Sequence, residues 1–376
     1  MGKYGPSMLW FERLFGVEER FDNVKDDLQC EKDGSDNLYY ITGPNKKRYC
    51  AGRFEHVSVE ELSKRSQVSA IERSAGGEPS GFLTKLQILK GDVVSFINKP
   101  ENNGAVFQVA SQFNCLEFIN PAITPEAGVD RYEYDHTQGP ACSIACGPGT
   151  VYRNYFVDMP VTERAGETEP QQGQTAGRQL DGFEDVAEIL ENKDNQLFQE
   201  KNGYLTADEK QLDRFLKRLG ELKEEKGWDS EEMVYQNLWS KLKLGVHYDV
   251  EVTAEDWGQV LSSSPQLRLT QVFASAAAVG YSRNINRHKW ERLAKGILDA
   301  SYDGLFAVAA LNPTKKVFLT FIGGGVFQNS MHWIADAIYR AAVKYRNAGI
   351  TAYLVCFGSV PQGIGPMVEK FNKLKN

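Results

Sequence analysis

Residues 318–330 read Phe-Leu-Thr-Phe-Ile-Gly-Gly-Gly-Val-Phe-Gln-Asn-Ser. An apolar run meets three consecutive glycines, and a helical pattern follows from about 330 to 346. Its core face is Trp333, Ile334, Ala337, Ile338 and Ala341. Strand, glycine loop and helix start is the arrangement with which α/β sheets hold ligands at the C-terminal ends of parallel strands. Without Cβ atoms the backbone can approach an anion closely, and a helix N-terminus offers unpaired N–H groups and partial positive charge. Phosphate binding is therefore expected at Gly323, Gly324 and Gly325. A P-loop is excluded because no Lys follows the glycines. A G-x-G-x-x-G fingerprint fails because its third glycine position, counted from Gly323, holds Gln328.

The surrounding pattern agrees with this frame. Residues 350–357 and 269–278 read as buried strands, and 289–311 as a long helix ended by Asn312-Pro313. Residues 86–89, 105–110 and 151–157 read as further strands, and 128–135 and 138–139 as loop. The alternation implies an α/β fold, a parallel or mixed sheet with helices on both faces. Residues 160–180 read as a polar loop. About half of residues 200–232 are charged, with Thr206 and Glu209 as a capping box and an apolar stripe from Leu212 to Leu222, so a surface helix is expected there. The first eighty residues read as an appendage. It holds a helical pattern over 8–22, strands over 38–42 and 48–54, a short helix over 57–66 capped by Ser58, and a linker over 74–81. The organisation expected is an appendage over 1–80 and one domain over 81–376 with an insertion at about 160–235.

The chain has 376 residues, 43 Lys and Arg, 50 Asp and Glu, a net charge of −7 and 41% hydrophobic residues. A disordered chain is excluded, and the acidic balance argues against nucleic acid as a partner. No apolar run is long enough for a signal peptide or, at 18 residues, for a membrane span, so no membrane partner is expected. The six cysteines contain no CxxC pair and the five histidines are scattered. No metal and no cofactor are expected, and a cytoplasmic location is.

Five pieces, in order, resemble macrodomains. Residues 322–329 resemble the family's diphosphate-binding loop, and 298–309 the helix that precedes its strand. Residues 271–281 resemble a strand running into small residues. Lys90-Gly91-Asp92-Val93 resembles Gly-Asp-Ile-Thr, and Phe107 to Asn114 a strand ending in an Asn-rich loop. The pieces span residues 83–358. The chain departs from the pattern where Ala110-Ser-Gln-Phe-Asn114 replaces Asn-Ala-Ala-Asn and where Cys115-Leu-Glu-Phe118 replaces a glycine run. The longer loop that follows, through Tyr134-Asp-His-Thr-Gln-Gly-Pro140, resembles the poly(ADP-ribose) glycohydrolase branch and the divergent, MavL-like macrodomain ADP-ribosylhydrolases.

The resemblance implies ADP-ribose or an ADP-ribosylated protein as partner, and an enzyme that hydrolyses the ADP-ribosyl bond. Asp92 would accept from the adenine amino group. Asn114 or Gln112 would hold the distal ribose. Gly323 to Gly325 with Val326 would hold the diphosphate, Phe327 would pack near the distal ribose, and Asn329 would join them in binding the ligand or, with Ser330, cap the following helix. Gln138 and Gly139 would line the site. Hydrolysis needs a carboxylate to protonate the leaving group or activate water, and the candidates are Glu117, Asp135, Asp299 and Asp303. A non-catalytic ADP-ribose reader and a nucleotide-metabolite enzyme are the alternatives. The reader differs from the hydrolase in whether those carboxylates converge on the pocket, and the nucleotide-metabolite enzyme from both in not binding ADP-ribose.

Overall fold

The computed structural model describes residues 8–75, 82–159, 171–255, 258–261, 266–282 and 285–374. The centre of the expected linker, 76–81, and residues 160–170 of the polar loop lie outside them. Nine strands form one sheet: β1 (Gln29–Lys32), β2 (Tyr39–Thr42), β3 (Arg48–Ser58), β4 (Lys85–Lys90), β5 (Val106–Ala110), β6 (Lys243–Glu251), β7 (Arg268–Ala274), β8 (Lys316–Leu319) and β9 (Thr351–Cys356). Their order is β1-β2-β3-β6-β7-β5-β8-β9-β4. The first four pairings are antiparallel and the last four parallel. The expected mixed sheet is present. Strand β3, from the expected appendage over 1–80, pairs with β6 from Ser58↔Lys243 to Arg53↔Tyr248. The appendage strands are a continuation of the main sheet.

The helices among the described residues include α1 (Trp10–Phe15), α2 (Val59–Ala75), α3 (Val93–Ile97), α4 (Gln138–Ala145), α5 (Glu209–Lys226), α6 (Glu231–Asn237), α7 (Arg287–Leu311), α8 (Met331–Lys344) and α9 (Ile364–Asn372). One face of the sheet packs under α2, α5, α7, α8 and α9 through Leu62, Phe215, Trp290, Phe306, Ile338 and Phe371. The other packs under α1, α3 and α4 through Trp10, Val94 and Ile144. On that second face Phe107, Phe318 and Tyr353 of neighbouring strands stack at 4.4 and 4.8 Å between ring centroids. With both faces covered, β5 and β9 carry near-continuous apolar runs rather than an alternating pattern.

Three local expectations change. Residues 151–157 are not a strand: Gly147–Val151 is an α-turn that passes into a π-turn over Tyr152–Phe156. Every residue of that run is buried, so it lacks the periodicity that separates strand from helix. Gln138 and Gly139 are the first turn of α4, not loop. The cap of α5 is Asp208 with Gln211, not Thr206 with Glu209. Ser58 does cap α2, accepting the Glu61 N–H at 3.2 Å.

Candidate active site

Because β5, β8, β9 and β4 are parallel neighbours, the segments that leave their C-terminal ends lie along one edge. They are the 111–119 loop, the glycine loop, Phe357 and Asp92. At about 4.8 Å between strands, the row spans about 14 Å.

The glycine loop closes on itself. Asn329 N–H donates to Gly323 O at 2.8 Å, and Gln328 N–H to Gly325 O at 3.0 Å. The Asn329 amide donates to Ala277 O at 2.8 Å and Gly323 O at 3.2 Å. Gly323 has φ +72°, and a Cβ there would stand 2.6 Å from Ala276 and 2.7 Å from the Asn329 amide, so only glycine fits. Gly280 N–H anchors the far side on Phe327 O at 2.9 Å. Among the described residues, the N–H groups of Gly325, Val326 and Phe327 have no backbone or side-chain acceptor, and they sit just ahead of α8. Ser330 occupies the N-cap position, but its side chain makes no cap hydrogen bond. Successive free N–H groups at a helix start make an anion-binding concavity.

Asp92 caps α3 by accepting Val94 N–H at 3.0 Å and is exposed at the same edge. Phe357 follows β9, between the glycine loop and Asp92, and is 82% exposed.

Glu117 is 2% exposed. Among the described residues, neither carboxylate oxygen has a hydrogen-bond partner of good geometry. Arg153, itself fully buried, stands 3.5 Å away, and the Glu117 N–H donates to Tyr132 Oη at 2.8 Å. Burial pushes the Glu117 carboxyl up from 4.5 to about 7; nearby Arg153, Ser143 and Tyr132 oppose that rise without cancelling it. The Arg153 guanidinium lies 3.7 Å from the Phe273 ring centroid and donates to Cys115 O and Ser143 Oγ. Glu117 and Asp135 share the lining of a cavity of about 150 Å³ with Phe118, Ile119, Ile123, Arg131, Tyr132 and Tyr134. Asp135 is half-buried and accepts Thr137 N–H at 3.1 Å.

The loop of Glu117 and the glycine loop are bridged by aromatics. Tyr204 Oη donates to Phe118 O, and Tyr281 Oη to Ile119 O at 3.4 Å. Both rings touch Phe327, at 5.6 and 5.8 Å between centroids. Tyr204 belongs to the hairpin of Gln199–Lys201 and Tyr204–Thr206 within the insertion.

Several expected ligand residues are occupied in building this edge. Asn114 is fully buried: its amide donates to Gln179 at 2.7 Å and its oxygen accepts Leu116 N–H, so it is not open to a ribose. Gln112 exchanges hydrogen bonds with the Phe118 backbone. Gln138 joins α4 to β5, accepting Ala110 N–H at 2.8 Å and donating to Gln108 O at 2.7 Å. Gly139 is required because a Cβ there would overlap Ala110 O. Asp299 and Asp303 do not reach the edge. Asp303 pairs with Lys344 at 2.6 Å and accepts from Tyr235; Asp299 pairs with Arg340. Lys344 is the last residue of α8, a helix length of about 20 Å from the glycine loop. A face shared by i,i+4 spacing on α7 is thus turned toward α6 and α8.

The sequence reading missed Arg153, Tyr132, Tyr204, Tyr281 and Phe357. Arg153 alone carried a signal, as the one charge in the largely apolar run 151–157.

No protein-family model matches the chain and no curated protein matches it. Solved structures do. One is a poly(ADP-ribose) glycohydrolase from Thermomonospora curvata, at 11% identity and TM-score 0.41, covering 94% of this chain and 95% of that one. The same enzyme bound to the inhibitor ADP-HPD matches equally. A third is the poly(ADP-ribose) glycohydrolase of Deinococcus radiodurans in complex with ADP-ribose, at 13% identity and TM-score 0.43, covering 85% and 92%. At this identity and TM-score the likeness assigns neither ligand nor activity, and the function is argued from the site's own residues.

Proposed function

We propose that this chain is a glycohydrolase that binds ADP-ribosylated protein and releases ADP-ribose. The observation that carries the reading is Glu117, a buried carboxyl pushed up to about 7 on the wall of a cavity at the edge that bears the glycine loop. A carboxylic acid kept protonated near neutral pH is a general acid for a glycosidic leaving group. ADP-ribose lies along the edge with its base on Phe357 and Asp92. Its diphosphate meets the N–H groups of Gly325, Val326 and Phe327, and its distal ribose turns past Phe327 toward Glu117. Protonated Glu117 gives its proton to the leaving atom as the bond to the anomeric carbon breaks. A water held between Glu117 and Asp135 adds to that carbon and returns a proton to the Glu117 carboxylate. The neighbouring diphosphate favours the positive charge that develops on the sugar. Six free cysteines suit a reducing, cytoplasmic setting, and no described helix is long and apolar enough to cross a membrane.

The test is calorimetric titration with ADP-ribose and long incubation with an ADP-ribosylated protein. The wild type binds and releases ADP-ribose, and Gly325→Glu loses binding because its side chain, entering open space, puts negative charge beside the free N–H groups of the loop. Binding without release makes the chain a reader; no binding ends both readings.

A further inference from the structure

The N-terminal segment that the sequence sets apart is built into the wall of the cavity. Glu19 inserts its carboxylate into the loop ahead of the 3₁₀ turn Asp130–Tyr134. Oε1 accepts Val129 N–H at 2.8 Å and Tyr155 Oη–H at 2.6 Å, and Oε2 accepts Asp130 N–H at 2.6 Å. Gly128, at φ +83°, leaves the room: a Cβ there would stand 2.6 Å from Glu19 Oε2. On the other side of the turn Arg13 grips Glu133 with two contacts of 2.9 and 3.0 Å, and Trp10 N–H donates to the same carboxylate at 2.7 Å. The Trp10 indole N–H donates to Val129 O at 3.0 Å. Within this turn Tyr132 faces inward, holds the Glu117 N–H and packs edge-on against Phe118 at 5.4 Å. Asp135 follows directly, with its N–H on Tyr132 O.

We propose that Glu19 and Arg13 form a clamp that sets Tyr132 and Asp135 against Glu117, making Glu19 a positioning residue of the site. The clamp joins two parts of the sequence more than 100 residues apart, and neither Glu19 nor Arg13 lines the cavity. Its action on catalysis rests on the glycohydrolase reading; its action on the state of Glu117 does not. The Glu19 carboxyl is itself pushed up to about 7 by burial and by Asp130 beside it; its oxygens accept all three hydrogen bonds, and ionising it lowers stability as pH rises through about 7. Glu19→Gln keeps the size but places an amide N–H where a second acceptor is needed. Asp130 remains ionisable in that variant, so its titration is followed alongside.

The experiment measures three things in the full chain carrying Glu19→Gln and, separately, the half-exposed Arg13→Ala. They are ADP-ribose affinity, turnover on modified protein, and the Glu117 titration by carboxyl carbon NMR against Glu117→Gln. The expected result for Glu19→Gln is affinity within threefold of wild type, turnover lowered on the order of tenfold, and a displaced Glu117 midpoint. Arg13→Ala shifts both readouts in the same direction and by less. An unchanged midpoint with unchanged turnover, whatever the melting temperature does, overturns the clamp. If the wild type shows no turnover but the Glu117 midpoint still moves in Glu19→Gln, the clamp stands and the glycohydrolase reading falls. A folded Glu19→Gln is expected because its neighbours Trp10, Phe11 and Leu14 keep their core contacts; if it is unfolded, Arg13→Ala decides by the same two readouts.

Discussion

Two regions of this molecule place carboxylates beside cations in a cavity, and they differ in what completes them. The larger cavity, about 930 Å³, lies among α6, α7 and α8 and is lined by Asp299, Asp303, Arg340 and Lys344 with Tyr235 and Trp239. There the carboxylates meet cations that reach solvent: Lys344 is 41% exposed and Arg340 48%. The smaller one, about 150 Å³, holds Glu117, whose cation is fully buried and whose oxygens lack good hydrogen bonds. Cavity size and the bare presence of acids therefore do not mark the chemistry. What marks it is a carboxyl kept out of water at the strand-end edge, where the free N–H groups of the glycine loop also lie.

The sharpest way to break the comparison is to remove one acid from each region. Glu117→Gln is expected to lower ADP-ribose release about 10²- to 10⁴-fold while ADP-ribose still binds. Asp303→Asn should leave release within twofold. Equal losses, read as free ADP-ribose over time, would sink the assignment.

A second test uses Gly139. A Cβ in this position overlaps Ala110 O, so Gly139→Ala is expected to cost about 3 kcal/mol or more and to lower the melting temperature by many degrees. Gly325→Ala, where a Cβ meets open space, should leave it nearly unchanged.

The third test is pH. The folded state holds the Glu117 proton up to about 7, where an ordinary Glu has lost it near 4.5. Its contribution to stability is complete below about 4.5 and is lost as pH rises through about 7. Release should fall over the same upper limb as the acid is lost. Subtracting the Glu117→Gln melting curve isolates the group from Glu19. A wild type whose stability and turnover stay flat from pH 5 to 8 would contradict the raised value.

The smallest effect is expected at Lys344. Because its ammonium is partly exposed, Lys344→Met should cost no more than about 1–2 kcal/mol in urea unfolding, the Asp303 carboxyl keeping Tyr235. Release should not change.

Much of the fold is legible in the sequence wherever period and punctuation agree. The glycine loop, α7 with its Asn312-Pro313 stop, and the buried runs of β5, β8 and β9 all announce themselves locally. The partnership of β3 with β6 does not, since nothing near Arg48–Ser58 specifies a partner in Lys243–Glu251. Residues 151–157 mislead because a fully buried helix and a buried strand share a composition. At the site, Asp92, Glu117, Asp135 and the glycines lie along one edge. Asn114 and Gln112 match the family pattern in position alone, and the hairpin around Gly203 covers them: a Cβ added there would stand 2.7 Å from both side chains. That cover comes from the insertion, whose route over the edge no local pattern encodes.

The pairing of β3 with β6 also bears on how the chain reaches this state. The hairpin of β2 and β3 leaves the ribosome with one side of β3 unpaired. Its partner from residue 243 onward is made only after two thirds of the chain. Until then the segment Arg53–Ser58, with Phe54 and the buried Val57, lacks its strand partner and is open to other strands. Loop closure across that distance is slow, so this protein is expected to refold with a long phase and to aggregate from that edge when the phase is prolonged.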